Sequence, residues 1–129
     1  MIIDSSVIVA ILRAENEADA FLKAIGNAAR CSMSAASFVE TAIVLTPARG
    51  AYRHDFDELV SDARIAIEPV TEAQAWIARR AYREYGKGSG HPAQLNFGDC
   101  FSYAPAKDRS EPLLFKGNDF IHTDVRTVV

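Results

Sequence analysis

The opening twelve residues, MIIDSSVIVAIL from Met1 to Leu12, set out the architecture of the chain. Three apolar residues come first, and after Asp4, Ser5 and Ser6 the apolar side chains return at helical spacing. This pattern predicts a short buried strand, a turn and a helix. Asp4 then lies at the carboxyl end of the strand, which is where open parallel α/β sheets bind their ligands.

Short apolar segments alternate with amphipathic segments along the rest of the chain. This alternation predicts one α/β domain over residues 1–129, with a small, mostly parallel central sheet flanked by helices. Trp76 is expected on the apolar side of its helix. Pro47 is expected to end the third helix, and Pro105 to kink or stop the last helix near Ala104. The further strands are predicted at 31–33, 65–70 and 113–115, and the later helices at 18–25, 35–45, 56–63, 72–85 and 96–103.

The composition is that of a globular protein without a dominant charge. The 129 residues are 49% hydrophobic, and 14 Lys and Arg stand against 17 Asp and Glu, a formal charge of −3. This balance excludes a disordered chain and gives no general attraction for nucleic acid, so such a partner must be bound locally. The 2 cysteines are too few for a disulfide framework, and no apolar run is long enough to span a membrane. We therefore expect a cytoplasmic protein.

Three acidic residues stand alone in segments otherwise suited to burial. Asp4, Glu40 and Asp99 are each the only charged residue in a stretch of more than ten residues. A buried carboxylate is expensive to desolvate, so each requires a hydrogen-bonding, cationic or metal partner. Each also has an ordinary alternative role, namely a helix cap for Asp4, a complement to a helix dipole for Asp99 and a surface position for Glu40.

A fourth acid is expected just after the last apolar strand. Asp119 and Asp124 are the candidates there, and both also suit ordinary turns. If the acids converge, their mutual repulsion requires a hard cation. Oxygen ligands without His or Cys suit Mg²⁺ or Mn²⁺, and an ion held by carboxylates is a common device for hydrolysing phosphodiesters.

Four segments in matching order carry a resemblance to a known family: MIIDSSVIVAIL, SAASFVETAIVL, YGKGSGHPAQLNFGDCFSYA and EPLLFKGNDFIHTDV. With these motifs the chain resembles VapC-type toxins of the PIN-domain family over nearly its whole length. The stretch LNFGDCFSYA followed by LLFKGNDF is specific for that family, whereas an Asp-x-Ser near the N-terminus is not. The resemblance implies a PIN-like fold and a Mg²⁺-dependent endoribonuclease that is inhibited by a VapB-like antitoxin. We also expect a homodimer.

The resemblance assigns roles to residues already singled out. Many relatives have an acid where this chain has Gly117, so Asp119 is the nearest candidate for a fourth catalytic acid and Asp124 is the reserve. Ser6 matches the small hydroxyl residue beside the first acid, where it would contact substrate. The residues that match the metal ligands are Asp4 and Asp99, and the catalytic acid on the third helix is Glu40.

An RNA substrate must approach an acidic pocket, which requires basic residues at the rim. Positions 79–91 carry four basic side chains against one acid and include a glycine-rich loop. We predict that Arg83 and Lys87 bind the phosphate backbone there. The alternative interpretation is an ordinary solvated helix face.

Three other functions fit part of the pattern. A phosphatase with an Asp nucleophile after the first strand needs a second acid where this chain has Ser6. A receiver-like domain binds Mg²⁺ with clustered acids and accepts a phosphoryl group without cutting RNA. A degenerate PIN domain acting only as a protein-binding module is the third, and the retention of all the acids disfavours it.

Overall fold

The computed structural model describes residues 1–48 and 51–128, and in them a four-stranded sheet lies between two layers of helices. The strands are β1 (Ile2–Ile3), β2 (Cys31–Ser34), β3 (Ile65–Glu68) and β4 (Leu113–Leu114). The helices are α1 (Ser5–Leu12), α2 (Ala18–Asn27), α3 (Ala35–Leu45), α4 (Arg53–Asp62), α5 (Glu72–Tyr85) and α6 (Phe97–Asp108). Nowhere in these ranges is a helix both long and apolar enough to cross a membrane.

The sheet is parallel throughout, with the strand order β3-β2-β1-β4. Ile2 of β1 is in register with Ser32 of β2 on one side and with Leu113 of β4 on the other. The carboxyl ends of the four strands therefore meet at one edge of the sheet. The predicted α/β architecture is confirmed, and this edge is where its ligand is expected.

Alternate residues of the short central strands supply two separate cores. Ile3 and Leu114 pack on one face of the sheet with α1, α2 and α4, whereas Ile2 and Leu113 pack on the other face with α5 and α6. All four side chains are essentially inaccessible to solvent. Full burial of such a side chain stabilises the fold by roughly 1.5–3 kcal/mol, and burial on both faces explains why the strands contain no polar alternation.

The two prolines act differently on their helices. Pro47 has the predicted effect, because α3 ends at Leu45 and a short 3-10 turn, Thr46–Ala48, follows it. The predicted stop at Pro105 was wrong: α6 continues through it to Asp108, although a proline removes one helical hydrogen bond. Pro105 is buried, and its carbonyl accepts the next available bond from the Arg109 N–H at 3.0 Å. Tertiary packing therefore keeps this helix intact.

Two further predictions need correction. The third strand ends at Glu68 rather than at Val70, because Pro69 has no N–H to donate to a neighbouring strand. Trp76 lies on the solvent side of α5 and is 60% exposed. The buried side of that helix is formed instead by Gln74, Ala78, Ala81 and Tyr85.

Candidate active site

Asp4 is the buried acid at the carboxyl end of β1. Its side chain is 4% exposed, and its backbone N–H donates to the Leu114 carbonyl at 3.0 Å, which extends the pairing of β1 with β4. The carboxylate accepts hydrogen bonds from the Ser6 N–H at 3.0 Å and the Ser6 hydroxyl at 2.6 Å, both at Oδ2. Asp4 therefore does cap α1, as its ordinary alternative role required. This cap is compatible with a role of Asp4 in the active site, because Oδ1 takes no part in the cap.

Oδ1 of Asp4 accepts a hydrogen bond from a buried serine of α6. The Ser102 hydroxyl donates to it at 2.5 Å, and the Ser37 hydroxyl lies 3.2 Å from that of Ser102. A hydroxyl has one hydrogen, and Ser102 gives its hydrogen to the carboxylate, so Ser37 is the donor in the second bond. The result is a buried chain that runs from Ser37 through Ser102 to Asp4. Both serines are at most 1% exposed.

Ser6 joins Asp4 to the loop that follows β4. Its hydroxyl donates to Asp4 and accepts from the Lys116 N–H at 3.0 Å. The ammonium group of Lys116 turns away and pairs with Glu15 and Glu17. Ser6 thus uses its one hydroxyl hydrogen within the protein, in holding Asp4.

Glu40 lies half-buried on α3 and packs against the first turn of α6. Its Oε1 accepts a hydrogen bond from the Ser5 hydroxyl at 2.7 Å. Its Oε2 lies so close to Gly98 that a Cβ added there would come within 1.7 Å of it. The positive end of the α6 dipole favours a carboxylate at this place. Glu40 is therefore fixed between two helices and does not extend freely into solvent.

Asp99 occupies the third position of α6 and takes part in a reciprocal helix cap. Its Oδ2 accepts from the Asn96 N–H at 3.0 Å, while the Asn96 side chain accepts from the Asp99 N–H at 2.9 Å. The pKa of Asp99 is nevertheless raised to about 7. Burial is the largest cause, the Asn96 hydrogen bond opposes it, and the negative charges of Asp4, Asp119 and Glu40 add to it.

Asp99 is the residue on which the negative charges of the other three predicted acids act, in addition to its burial. Asp119 is exposed in the loop after β4 and contributes to the shift at Asp99. Asp124 lies elsewhere: it accepts a hydrogen bond from the Tyr103 hydroxyl at 2.6 Å and pairs with Lys107 at 2.9 Å. Burial disfavours its charge, but these two partners outweigh burial and lower its pKa. The charges of Asp4, Glu40 and Asp119 thus act on Asp99, whereas Asp124 has partners of its own.

The chemistry of these oxygens fits a small divalent cation. Within 1–48 and 51–128, no three carboxylate, imidazole or thiol groups lie close enough together to hold an ion as they stand. Mg²⁺ does not need such a cage, because it commonly keeps several waters and takes only one or two carboxylates. Asp4 and Asp99 meet that requirement, since they are neighbouring acids and neither forms an ion pair with a described residue.

The predicted RNA-binding residues lie near the same end of the molecule. Helix α5 runs antiparallel to α6, because Gln74 near its start is 3.5 Å from Asp108 and the Lys87 N–H after its end donates to the Leu95 carbonyl at 2.9 Å. Arg83 and Lys87 are exposed. They are therefore at the end of α5 that lies nearest the first turn of α6, which carries Asp99.

Three residues of the site escaped the sequence analysis. Gly98, Ser37 and Ser102 are small and uncharged, and neither their spacing nor their neighbours distinguish them from ordinary helix residues. Only the fold brings Gly98 against Glu40 and the two serines behind Asp4.

Fold and acid cluster together define the class of protein. Residues 1–126 match the model of the PIN domain, and the chain belongs to that family. It is similar to the Ribonuclease VapC28 of Mycobacterium tuberculosis, with 55% identity over 127 residues, 98% of this chain and 96% of that protein. The resemblance to VapC proteins inferred from the motifs is confirmed.

Solved structures show the same fold at low sequence identity. The toxin VapC20 of Mycobacterium tuberculosis, described as cleaving the sarcin-ricin loop, superposes with a TM-score of 0.72 at 17% identity, over 98% of this chain and 97% of that one. The toxin-antitoxin complex from Klebsiella pneumoniae gives a TM-score of 0.68 at 17% identity, over 92% of this chain and 88% of that one.

Proposed function

We propose that this chain is a Mg²⁺-dependent endoribonuclease, with Mn²⁺ as a substitute ion, and the toxin of a toxin–antitoxin pair. The observation that carries the proposal is the position of Asp4, which is buried at the carboxyl end of β1 and bonded through Ser102 to α6, the helix that also carries Asp99. Besides burial, the charges of Asp4, Asp119 and Glu40 raise the pKa of Asp99. The similarity to VapC ribonucleases over 98% of the chain supports it. Free, buried Cys31 and Cys100 suit the reducing cytoplasm, where RNA is also found.

Asp4 and Asp99 are the residues that would hold the ion. In phosphodiester hydrolysis a divalent ion makes water more acidic and neutralises charge on the phosphoryl oxygens. Asp4 is prepared for this role because Ser6 and Ser102 fix its carboxylate with neutral donors only. Asp99 has a pKa of about 7, so in the absence of a cation it is partly protonated at neutral pH, and a cation favours its charged form.

Glu40 and Asp119 are the residues placed to orient an attacking water. Glu40 is held by Ser5 and by contact with Gly98, so its oxygens have a fixed position. Asp119 is on the solvent side of the cluster, where substrate and water enter. Both accept hydrogen bonds only, which is the property needed to direct a water towards the phosphorus atom.

The same acidic residues are suited to binding an inhibitor of the VapB type. An acidic pocket suits a peptide that carries Arg, because guanidinium binds carboxylates with two parallel hydrogen bonds. The shared fold with a chain of the Klebsiella pneumoniae toxin-antitoxin complex supports such a partner. Co-expression with the product of a neighbouring gene, followed by affinity purification, tests for it. Sedimentation of the free chain tests the expected homodimer, which is supported by the exposed apolar Val39 and Ile43 of α3.

Cleavage of total RNA tests the activity. Purified chain with Mg²⁺ should generate new RNA ends that sequencing maps to preferred positions, and chelator should prevent this. Asp99→Asn should abolish cleavage while retaining the circular dichroism of the wild type, since the amide keeps the shape and loses the charge. Asp55→Asn, at an exposed position of α4, is the matched control and should cut normally. A folded Asp99→Asn variant that cuts at the wild-type rate would contradict the assignment.

The RNA cleavage assay also distinguishes a nuclease from the remaining alternative, a PIN domain that only binds a protein partner. Membership of the PIN family removes the receiver-like and phosphatase interpretations. A chain that binds a protein partner but never cuts RNA with either Mg²⁺ or Mn²⁺ would instead be a PIN module that acts only by binding.

A further inference from the structure

An aromatic and basic stripe covers the solvent side of α5. Trp76 begins it, and exposed basic side chains follow at the spacing that places them on one side of a helix. They are Arg79, Arg80 and Arg83, and exposed Lys87 follows after the helix has ended at Tyr85. None of the four takes part in an ion pair with the described residues. The stripe is therefore a concentration of free positive charge on a protein whose net charge is −3.

Trp76 lies outside the hydrophobic core that the described residues form. It is 60% exposed, and the core side of α5 is formed by other residues. The Arg79 guanidinium lies 5.4 Å from the centre of the indole ring, an arrangement that holds the ring by cation–π attraction. Together with Arg80 and Arg83, these two side chains line a shallow surface hollow of about 290 Å³.

The acids nearest the stripe lie at its borders. Glu72 is in the first turn of α5, beyond Trp76 and away from the acidic cluster. Glu84 is about 80° round the helix from Trp76, at a neighbouring surface hollow that it shares with Arg80, Lys107 and Asp124. No carboxylate lines the hollow of Trp76, Arg79, Arg80 and Arg83 among the described residues.

The composition of the hollow selects its ligand. A flat aromatic surface binds a nucleic-acid base by stacking, and guanidinium groups bind the phosphates on either side of that base. A base inside a duplex is already stacked and paired, so its face is not available. The matching ligand is an unpaired stretch of RNA, either single-stranded or in a loop.

The direction of the stripe connects it to the acidic cluster. Since α5 and α6 are antiparallel, the Lys87 end of the stripe is beside the start of α6, where Asp99 lies. We propose that the stripe binds the unpaired RNA that leads away from the cleavage point along α5, with one base stacked on Trp76 and its phosphates on Arg80 and Arg83. The inference rests on the proposed function in taking RNA as the substrate.

Tryptophan fluorescence measures this binding directly, because the chain has 1 Trp. In chelator, which prevents cleavage, a single-stranded RNA oligonucleotide of mixed sequence should quench the fluorescence to saturation. The same sequence as a perfect duplex should bind at least tenfold more weakly. Stacking on one aromatic side chain contributes enough affinity that Trp76→Ala should weaken binding of labelled oligonucleotide by about 5- to 150-fold, measured by fluorescence polarisation.

Conservative variants separate stacking from charge. Trp76→Phe keeps an aromatic face and should retain most of the affinity. Arg83→Gln should weaken binding to all sequences and reduce the slope of log affinity against log salt by about one. Arg53→Gln removes a similar exposed charge from α4 and should change neither quantity.

Two results would overturn the inference: unchanged fluorescence at saturating RNA, or a folded Trp76→Ala variant with affinity within twofold of the wild type. Preferential binding of an acidic polypeptide such as polyglutamate, with no binding of RNA, would also overturn it. The proposed function fails separately. A chain that binds single-stranded RNA through Trp76 but never cuts it supports the RNA-binding stripe and contradicts the nuclease activity. A chain that cuts RNA, and whose KM and RNA affinity are both unchanged in Trp76→Ala, supports the nuclease activity and contradicts the RNA-binding stripe.

Discussion

Replacement of Ser102 by Ala tests whether the buried hydroxyl chain behind Asp4 matters to the site. The Ser102 hydroxyl donates to Asp4 Oδ1 at 2.5 Å, and the acceptor is a carboxylate that is only 4% exposed. A hydrogen bond to a charged group contributes about 1.5–3 kcal/mol. In a domain of this size, a loss of that magnitude lowers the melting temperature of the metal-free chain by about 5–12 °C.

The affinity for Mg²⁺ should also fall in Ser102→Ala. Groups that orient a metal-binding carboxylate typically change metal affinity by 10- to 100-fold when they are removed. We therefore expect the Kd for Mg²⁺, measured by calorimetry, to rise by about that factor in Ser102→Ala. Ser37 donates to Ser102 and acts through it. Ser37→Ala should accordingly weaken Mg²⁺ binding in the wild type and have no further effect once Ser102 is Ala.

Thr41 provides the matched control. It is fully buried on the same helix as Ser37, and its hydroxyl donates to the Ser37 carbonyl at 2.7 Å without contacting Asp4. Thr41→Val should cost some stability but leave the Kd for Mg²⁺ unchanged. A folded Ser102→Ala variant with the melting temperature and the Mg²⁺ affinity of the wild type would refute the reasoning.

Two further predictions concern Gly98 and Asp99. Gly98→Ala should fold normally yet lose most RNA cleavage, because the new Cβ displaces the Glu40 carboxylate from the position that it has in the wild type. Gly26→Ala, where nothing lies within 4 Å, is the control and should cut normally with up to about 1 kcal/mol of added stability. In chelator, the free energy of unfolding measured with urea should become larger for Asp99→Asn than for the wild type as the pH rises from about 4 to about 7. Above about pH 7 the difference between the two proteins should stay constant. Over that range native Asp99, whose pKa is raised from 3.8 to about 7, binds more protons than the unfolded chain, so rising pH removes its contribution to stability. Parallel pH dependences for the two proteins would contradict the raised pKa.

Burial and charge explain which features could be predicted from the sequence. Asp4, Glu40 and Asp99 could be found because a lone acid in an apolar segment is costly and therefore informative. The parallel sheet could be predicted because strands buried on both faces are apolar throughout.

The features that escaped prediction depend on contacts between distant segments. Trp76 looks like a core residue in the sequence, and only the packing of α5 on α6 shows that the helix turns another side inward. Pro105 ordinarily ends a helix, but burial of the surrounding turn holds α6 together through it. Gly98 owes its importance to Glu40, which is 58 positions away in the chain.

The position of β1 between β2 and β4 has a consequence for the synthesis of the protein. Asp4 lies 110 positions before Leu114 in the chain, yet its backbone bonds to Leu114, and Ser6, which holds its side chain, bonds to Lys116. A nascent chain that lacks β4 therefore has an incomplete sheet, lacks the bonds from Leu114 and Lys116 that complete the surroundings of Asp4 and Ser6, and has no Asp119. Pairing between such distant segments is also slow. We therefore expect the proposed nuclease to become active only after β4 has been made and has paired with β1.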